Sequence, residues 1–266
     1  FSFDTLSLHA GQQPDAATGA RATPIYQTAA FVFRDTDHAA SIFNIERAGH
    51  VYSRISNPTN AVLEERIASL EGGRGSVAAA SGHAAQFLAF FSIMEPGDEF
   101  VSSRNLYGGS ITQFGLSFKR LGWTCHFVDP TEPENFAAAL TPNCKAIFIE
   151  NLANPGGVVT DIAAIADVAH DHGVPLIVDN TVATPYLIQP LTHGADIVVH
   201  SATKYLGGHG TAIAGVIVDG GTFDWTQGRH ANFTTPDPSY HGVVFAELGA
   251  PAFALKARVQ LLRDIG

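Results

Sequence analysis

Short apolar runs recur along the chain at SVAAA (76–80), EFVSS (99–103), TCHFVD (124–129), KAIFIE (145–150), PLIVD (175–179), ADIVVH (195–200) and IAGVIVD (213–219). Stretches of helical character separate most of them, including HAAQFLAFFSIME (83–95) and DIAAIADVAHDH (161–172). Earlier, NAVLEERIASLE (60–71) sets Leu63, Ile67 and Leu70 on one helical face, and Gly72-Gly73 stop it. Continuous apolar strands separated by helices predict a mostly parallel sheet covered by helices on both faces. Residues 1–58 show little periodicity and carry turn formers, so they read as an extended, partly irregular N-terminal arm. Residues 59–266 then form one large α/β domain, with no internal repeat, low-complexity tract or linker.

Composition narrows the partners. Among 266 residues, 45% are hydrophobic and 15% charged, enough apolar material for a large core. A formal net charge of −10 argues against nucleic acid or an anionic membrane as partner, and Lys119-Arg120 is the only adjacent Lys/Arg pair. No stretch approaches the roughly 20 apolar residues of a spanning helix. The opening FSFDTLSLHAG lacks the pattern of a signal peptide. Cys125 and Cys144 show no metal or redox spacing, which points to a reduced, cytoplasmic setting. His170 and His172 end an alanine-rich helix just before Gly173, where imidazole suits the negative helix end; no metal site is expected.

Ligands of open α/β sheets bind beyond the carboxyl ends of the strands. Ser81-Gly82-His83 follows the first run and opens a helix suited to a phosphate. Tyr107, before two glycines, follows the second; Glu150 ends the fourth, with Asn154 just beyond; Asp179 ends the fifth; Ser201, Thr203 and Lys204 follow the sixth. Each piece alone has a plain structural reading: a helix cap, a turn former, a rim aromatic. The four lysines separate by position, however. Lys119 lies on a polar helix face, Lys145 precedes its strand at the opposite sheet edge, and Lys256 lies in a further helix. Only Lys204 is placed to reach the ligand edge. Together the pattern favours pyridoxal 5'-phosphate, which needs an aldehyde-trapping lysine, an acid partner for its ring nitrogen and a phosphate cup.

YSRISNPT (52–59), SGHAA (81–85), NLYGGS (105–110), DNTVATPYL (179–187), HSATKYLGGHG (200–210) and ARVQLLRDIG (257–266) resemble the Cys/Met-metabolism family of pyridoxal-phosphate enzymes. The resemblance covers essentially the whole chain. It implies the type I aminotransferase-like fold and a homotetramer of two active-site-sharing dimers. It implies Lys204 as the cofactor-bearing lysine, Asp179 as partner of the ring nitrogen and Tyr107 as the ring-stacking tyrosine. Gly82 and His83 would offer backbone donors to the phosphate, joined by the Ser81 turn and the Ser201 and Thr203 hydroxyls. Asn154 would stand near the cofactor's phenolic oxygen, and Tyr52 and Arg54 would reach a neighbouring subunit's phosphate. The implied reaction is γ-replacement, O-acetyl-L-homoserine plus sulfide giving L-homocysteine plus acetate. Cystathionine γ-synthesis, methionine-type γ-elimination and a catalytically silent cofactor-binding partner are the alternatives. His83 stands where many relatives have Met or Gln. The family's smaller C-terminal domain is expected to be missing from these residues.

Overall fold

The computed structural model describes residues 1–265; Gly266, which ends both the ARVQLLRDIG motif and the expected large domain, lies outside the described residues. Each apolar run forms a strand: β1 (Gly75–Ala79), β2 (Glu99–Ser103), β3 (Thr124–Val128), β4 (Cys144–Glu150), β5 (Leu176–Asp179), β6 (Ile197–His200) and β7 (Gly215–Asp219). They hydrogen-bond into one sheet in the order β1-β7-β6-β5-β4-β2-β3. The pairs from β3 through β6 are parallel, whereas β7 runs antiparallel to both β6 and β1. The mostly parallel sheet is as the sequence indicates, and β7 is the exception.

The helices that matter for the site are α1 (Phe3–His9), α2 (Thr36–Phe43), α3 (Pro58–Glu71), α4 (Gly82–Ile93), α5 (Gly108–Thr112), α6 (Pro133–Ala139) and α7 (Ile162–Asp171). Their starts are written in the sequence. Asn57 caps α3 by accepting from the Thr59 N–H, with Pro58 at the first position, and Gly72 ends it in the left-handed conformation at φ 79°. Ser81 and Asp161 cap α4 and α7 in the same way. Within residues 1–58, α1 and α2 break the irregularity, each too short to show a period and each started by a side-chain cap, from Ser2 and Asp35.

Period-two alternation sorts the strand residues between two faces. On β4, Ala146 and Phe148 join the cluster under α4, while Ile147 and Ile149 join the cluster under α6 and α7. Phe90 of α4 anchors the first cluster, its ring 4.3 Å from Phe100 and 5.9 Å from Phe148. On β6, Ile197 and Val199 face α4, and Val198 faces α3 with Ile67, Leu70 and, from α1, Phe3 and Leu6. The first helix therefore packs back onto the same chain. Lys145 is the second residue of β4 rather than a residue before it, still at the end of the strand away from the carboxyl edge.

Candidate functional site

The same alternation decides which strand-end side chains meet. Glu150 and Asp179 are register partners at the last positions of β4 and β5, so both carboxyl groups project on the α4 face. His200, one residue beyond Val199, projects on the α3 face instead, where its Nε2 lies 2.6 Å from Oε1 of Glu71. Asn180 Nδ2 donates to the same oxygen at 2.8 Å, and Asn151 Nδ2 donates to Asn180 Oδ1 at 2.6 Å. This fully internal polar cluster ties the ends of β4, β5 and β6 to α3 from behind the site.

In front of it, the strand ends open into a cleft of about 1080 Å³. Nine of the eleven sequence-predicted residues line it: Ser81, Gly82, His83, Tyr107, Asn154, Asp179, Ser201, Thr203 and Lys204. Asp179 is nearly buried, at 9% exposure; its Oδ2 accepts from Gln86 Nε2 at 3.2 Å and its Oδ1 from the Thr181 N–H at 2.9 Å. Lys204 sits in the turn after β6, and among the described residues its Nζ has neither a hydrogen bond nor an ion pair. The Tyr107 ring is half exposed to the cleft, 5.7 Å from the His83 ring.

One end of the cleft is built from the N-terminus of α4. Ser81 Oγ accepts from Ala84 N, and the Ser81 carbonyl accepts from Ala85 N. The Gly82 and His83 N–H groups have no acceptor among the described residues and add to the positive end of the helix dipole. Gly82 lies so close to Ser201 that an added Cβ would stand 2.7 Å from the Ser201 Cβ. Any side chain there would fill the cradle. The Thr203 hydroxyl is already engaged: it donates to the Ala214 carbonyl at 3.1 Å and accepts from the Ala214 N–H. Joining a phosphate would require it to turn away from Ala214. With an unpaired amine, a buried carboxylate, an aromatic wall and a helix N-terminus around one cleft, the residues fit pyridoxal phosphate in size and in donor set.

Tyr52 and Arg54 are not brought to this cleft. Tyr52 bridges Ala30, the Arg54 guanidinium lies 5.1 Å over the Tyr52 ring, and Arg54 Nε donates to the Arg263 carbonyl. The histidine pair has structural partners: His170 Nε2 lies 2.9 Å from Asp196 Oδ2, and His172 Nδ1 lies 2.8 Å from the Val168 carbonyl.

Gln86 and Glu150 are among the lining residues given no role from sequence. Gln86, which holds Asp179, stands out as the one amide in the apolar stretch AAQFLAFF, and that is the signal it gave. Glu150 was visible only as the end of a strand. It is 5% exposed, and its Oε1 accepts from the Tyr107 N–H at 2.7 Å while Oε2 accepts from the Asn154 N–H at 3.0 Å. Burial first, and the Asp179 carboxylate second, push Glu150 up to about 7.

Residues 4–246 match the family of Cys/Met metabolism PLP-dependent enzymes. The chain belongs to that family. It is 51% identical to the O-acetyl-L-homoserine sulfhydrylase of Leptospira meyeri, over 100% of this chain and 62% of that protein. It is 50% identical to the homocysteine synthase of Schizosaccharomyces pombe, over 99% of this chain and 62% of that protein. A solved Campylobacter jejuni chain assigned as an O-acetylhomoserine (thiol)-lyase superposes with a TM-score of 0.96 at 39% identity, covering 100% of this chain and 66% of that one; it carries N'-pyridoxyl-lysine-5'-monophosphate. The fold is thus the type I aminotransferase-like one, and the family's cofactor is pyridoxal 5'-phosphate. The chain spans about 62% of the length of the curated relatives it matches.

Proposed function

We propose that this chain is the cofactor-binding part of an enzyme that exchanges the acetyl group of O-acetyl-L-homoserine for sulfide, giving L-homocysteine and acetate. The observation that carries the reading is the convergence of an unpaired Lys204, the buried Asp179 and the α4 N-terminus on one cleft. The choice of substrate draws on the names of the relatives at about half identity.

Bound pyridoxal phosphate supplies an aldehyde that takes up amines and a ring that accepts electron density from the substrate's α and β carbons. Lys204 would hold the cofactor through its amine and, with that amine free, would move protons at the substrate's Cα and Cβ. Asp179 would keep the proton on the ring nitrogen. The Gly82 and His83 N–H groups and the Ser201 hydroxyl would hold the phosphate, and Thr203 could join them only by giving up its bonds to Ala214. Tyr107 would hold the ring and Asn154 would meet the phenolic oxygen, both lining the cleft. Acetate departs from Cγ, and sulfide takes its place there. The test is acetate release from O-acetylhomoserine by the cofactor-loaded protein, with and without sulfide. Homocysteine should accumulate with sulfide; 2-oxobutyrate as the main product would mean γ-elimination, and no acetate in either case would overturn the assignment.

The phosphate cup is completed, in this reading, by Tyr52 and Arg54 of a second copy in a homotetramer of site-sharing dimers. A bidentate guanidinium is the strongest side-chain contact to a phosphate, and the cup described above contains no cation besides Lys204. Co-expressing Arg54→Ala with Lys204→Ala chains should recover about a quarter of the sites, because random pairing leaves one intact site in each mixed dimer. Activity no higher than the sum of the two variants would sink the sharing. Cysteine chemistry supports a reduced, cytoplasmic setting, since Cys125 and Cys144 are both free thiols.

A further inference from the structure

Glu150 is a buried carboxylate with no cationic partner among the described residues. Such a group is expensive to keep unless something requires it. What it does have is two backbone N–H donors from two different segments. Tyr107 belongs to the turn from β2 into α5, and Asn154 to the loop that leaves β4; both segments line the cleft. A carboxylate is the one acidic or amide side chain that offers two acceptors and no donor. Glutamine at this position would accept from one N–H and turn its own NH2 toward the other. The cost of the buried charge, reflected in its elevated proton affinity, is therefore tied to holding two segments at once. The register match with Asp179 fixes where this happens, directly beside the carboxylate assigned to the ring nitrogen.

We propose that Glu150 is a positioning residue for the cofactor, clamping the Tyr107 and Asn154 segments across the cleft through its two oxygens. This rests on the cofactor-binding reading above. It does not touch the reacting atoms and acts through the placement of the Tyr107 ring.

The experiment compares unsubstituted, Glu150→Gln, Tyr107→Ala and doubly substituted protein loaded with pyridoxal phosphate, reading cofactor dissociation and the visible circular dichroism of the bound cofactor. Glu150→Gln should weaken cofactor retention by roughly tenfold, the scale of one charge-assisted hydrogen bond, and diminish the visible dichroism. In the Tyr107→Ala background the same change should weaken retention by less than about twofold, as coupled residues are non-additive. Full additivity, or unchanged retention and dichroism in Glu150→Gln, would overturn the proposal. Should Glu150→Gln fail to fold, Glu150→Asp takes its place in the same cycle, retaining the charge but too short to reach both donors. Absence of a cofactor band in the unsubstituted protein would overturn the cofactor reading itself, and so is distinguishable from failure of the clamp.

Discussion

Lys204→Ala should abolish the borohydride-trappable cofactor label and lower turnover by roughly a thousandfold or more, the scale of losing a positioned acid–base group together with a covalent anchor. No other lysine can substitute. Lys119 lies in the short helical turn Phe118–Leu121, just before β3, and does not line the cleft. Lys145 donates to the Arg229 carbonyl and stands 3.6 Å from Asp98, at the amino end of β4. Lys256 is the chemically serious competitor, because burial pushes its ammonium down to about 8, closer to a nucleophilic amine. Its geometry removes it. Its Nζ donates to the Asn232 carbonyl at 2.9 Å, lies 3.8 Å from Asp237 Oδ2, and is enclosed by the Phe233 and Phe245 rings at 5.1 and 4.6 Å. Peptide mapping of the reduced adduct decides the matter. A label on Lys256 would refute the assignment of Lys204.

The strand ends were legible from sequence because buried parallel strands are short apolar runs, and their last residues are the ligand edge whatever the details of packing. Nine residues that line the cleft could be read from that rule together with the family resemblance. Strand direction could not be read. An apolar run has no polarity in its pattern, so nothing in IAGVIVD (213–219) distinguishes antiparallel β7 from its parallel neighbours. Hydrogen-bond commitments were equally hidden: Thr203 has the right residue type beside Lys204, yet its hydroxyl serves Ala214 until something displaces it. Glu150 was missed for a related reason. Its role depends on two N–H groups, from residues 107 and 154, that only the folded chain brings to one carboxylate. Tyr52 and Arg54, which the resemblance assigns to a phosphate, contact Ala30 and Arg263 instead of lining this chain's cleft, and no local pattern foretold that.

Asp179→Asn should leave the fold and cofactor binding in place while lowering turnover by roughly tenfold to a hundredfold, the scale of one charge-assisted hydrogen bond lost from the reacting state. The fold survives because the local scaffold does not need the charge. An asparagine oxygen can still accept from the Thr181 N–H, and Gln86 can turn its amide so that its oxygen meets the new NH2 group. What disappears is the negative charge that keeps a proton on the ring nitrogen, and with it the ring's capacity to accept electron density. A second consequence follows from the pairing of β4 with β5. Glu150 is raised to about 7 partly by the Asp179 charge, so removing that charge lets Glu150 ionise at lower pH. Difference infrared titration of the carboxylate band should therefore show the Glu150 transition moving downward in Asp179→Asn. Near-normal turnover with cofactor bound would contradict the role of Asp179. An unmoved Glu150 transition would contradict the coupling between the two carboxylates at the strand ends.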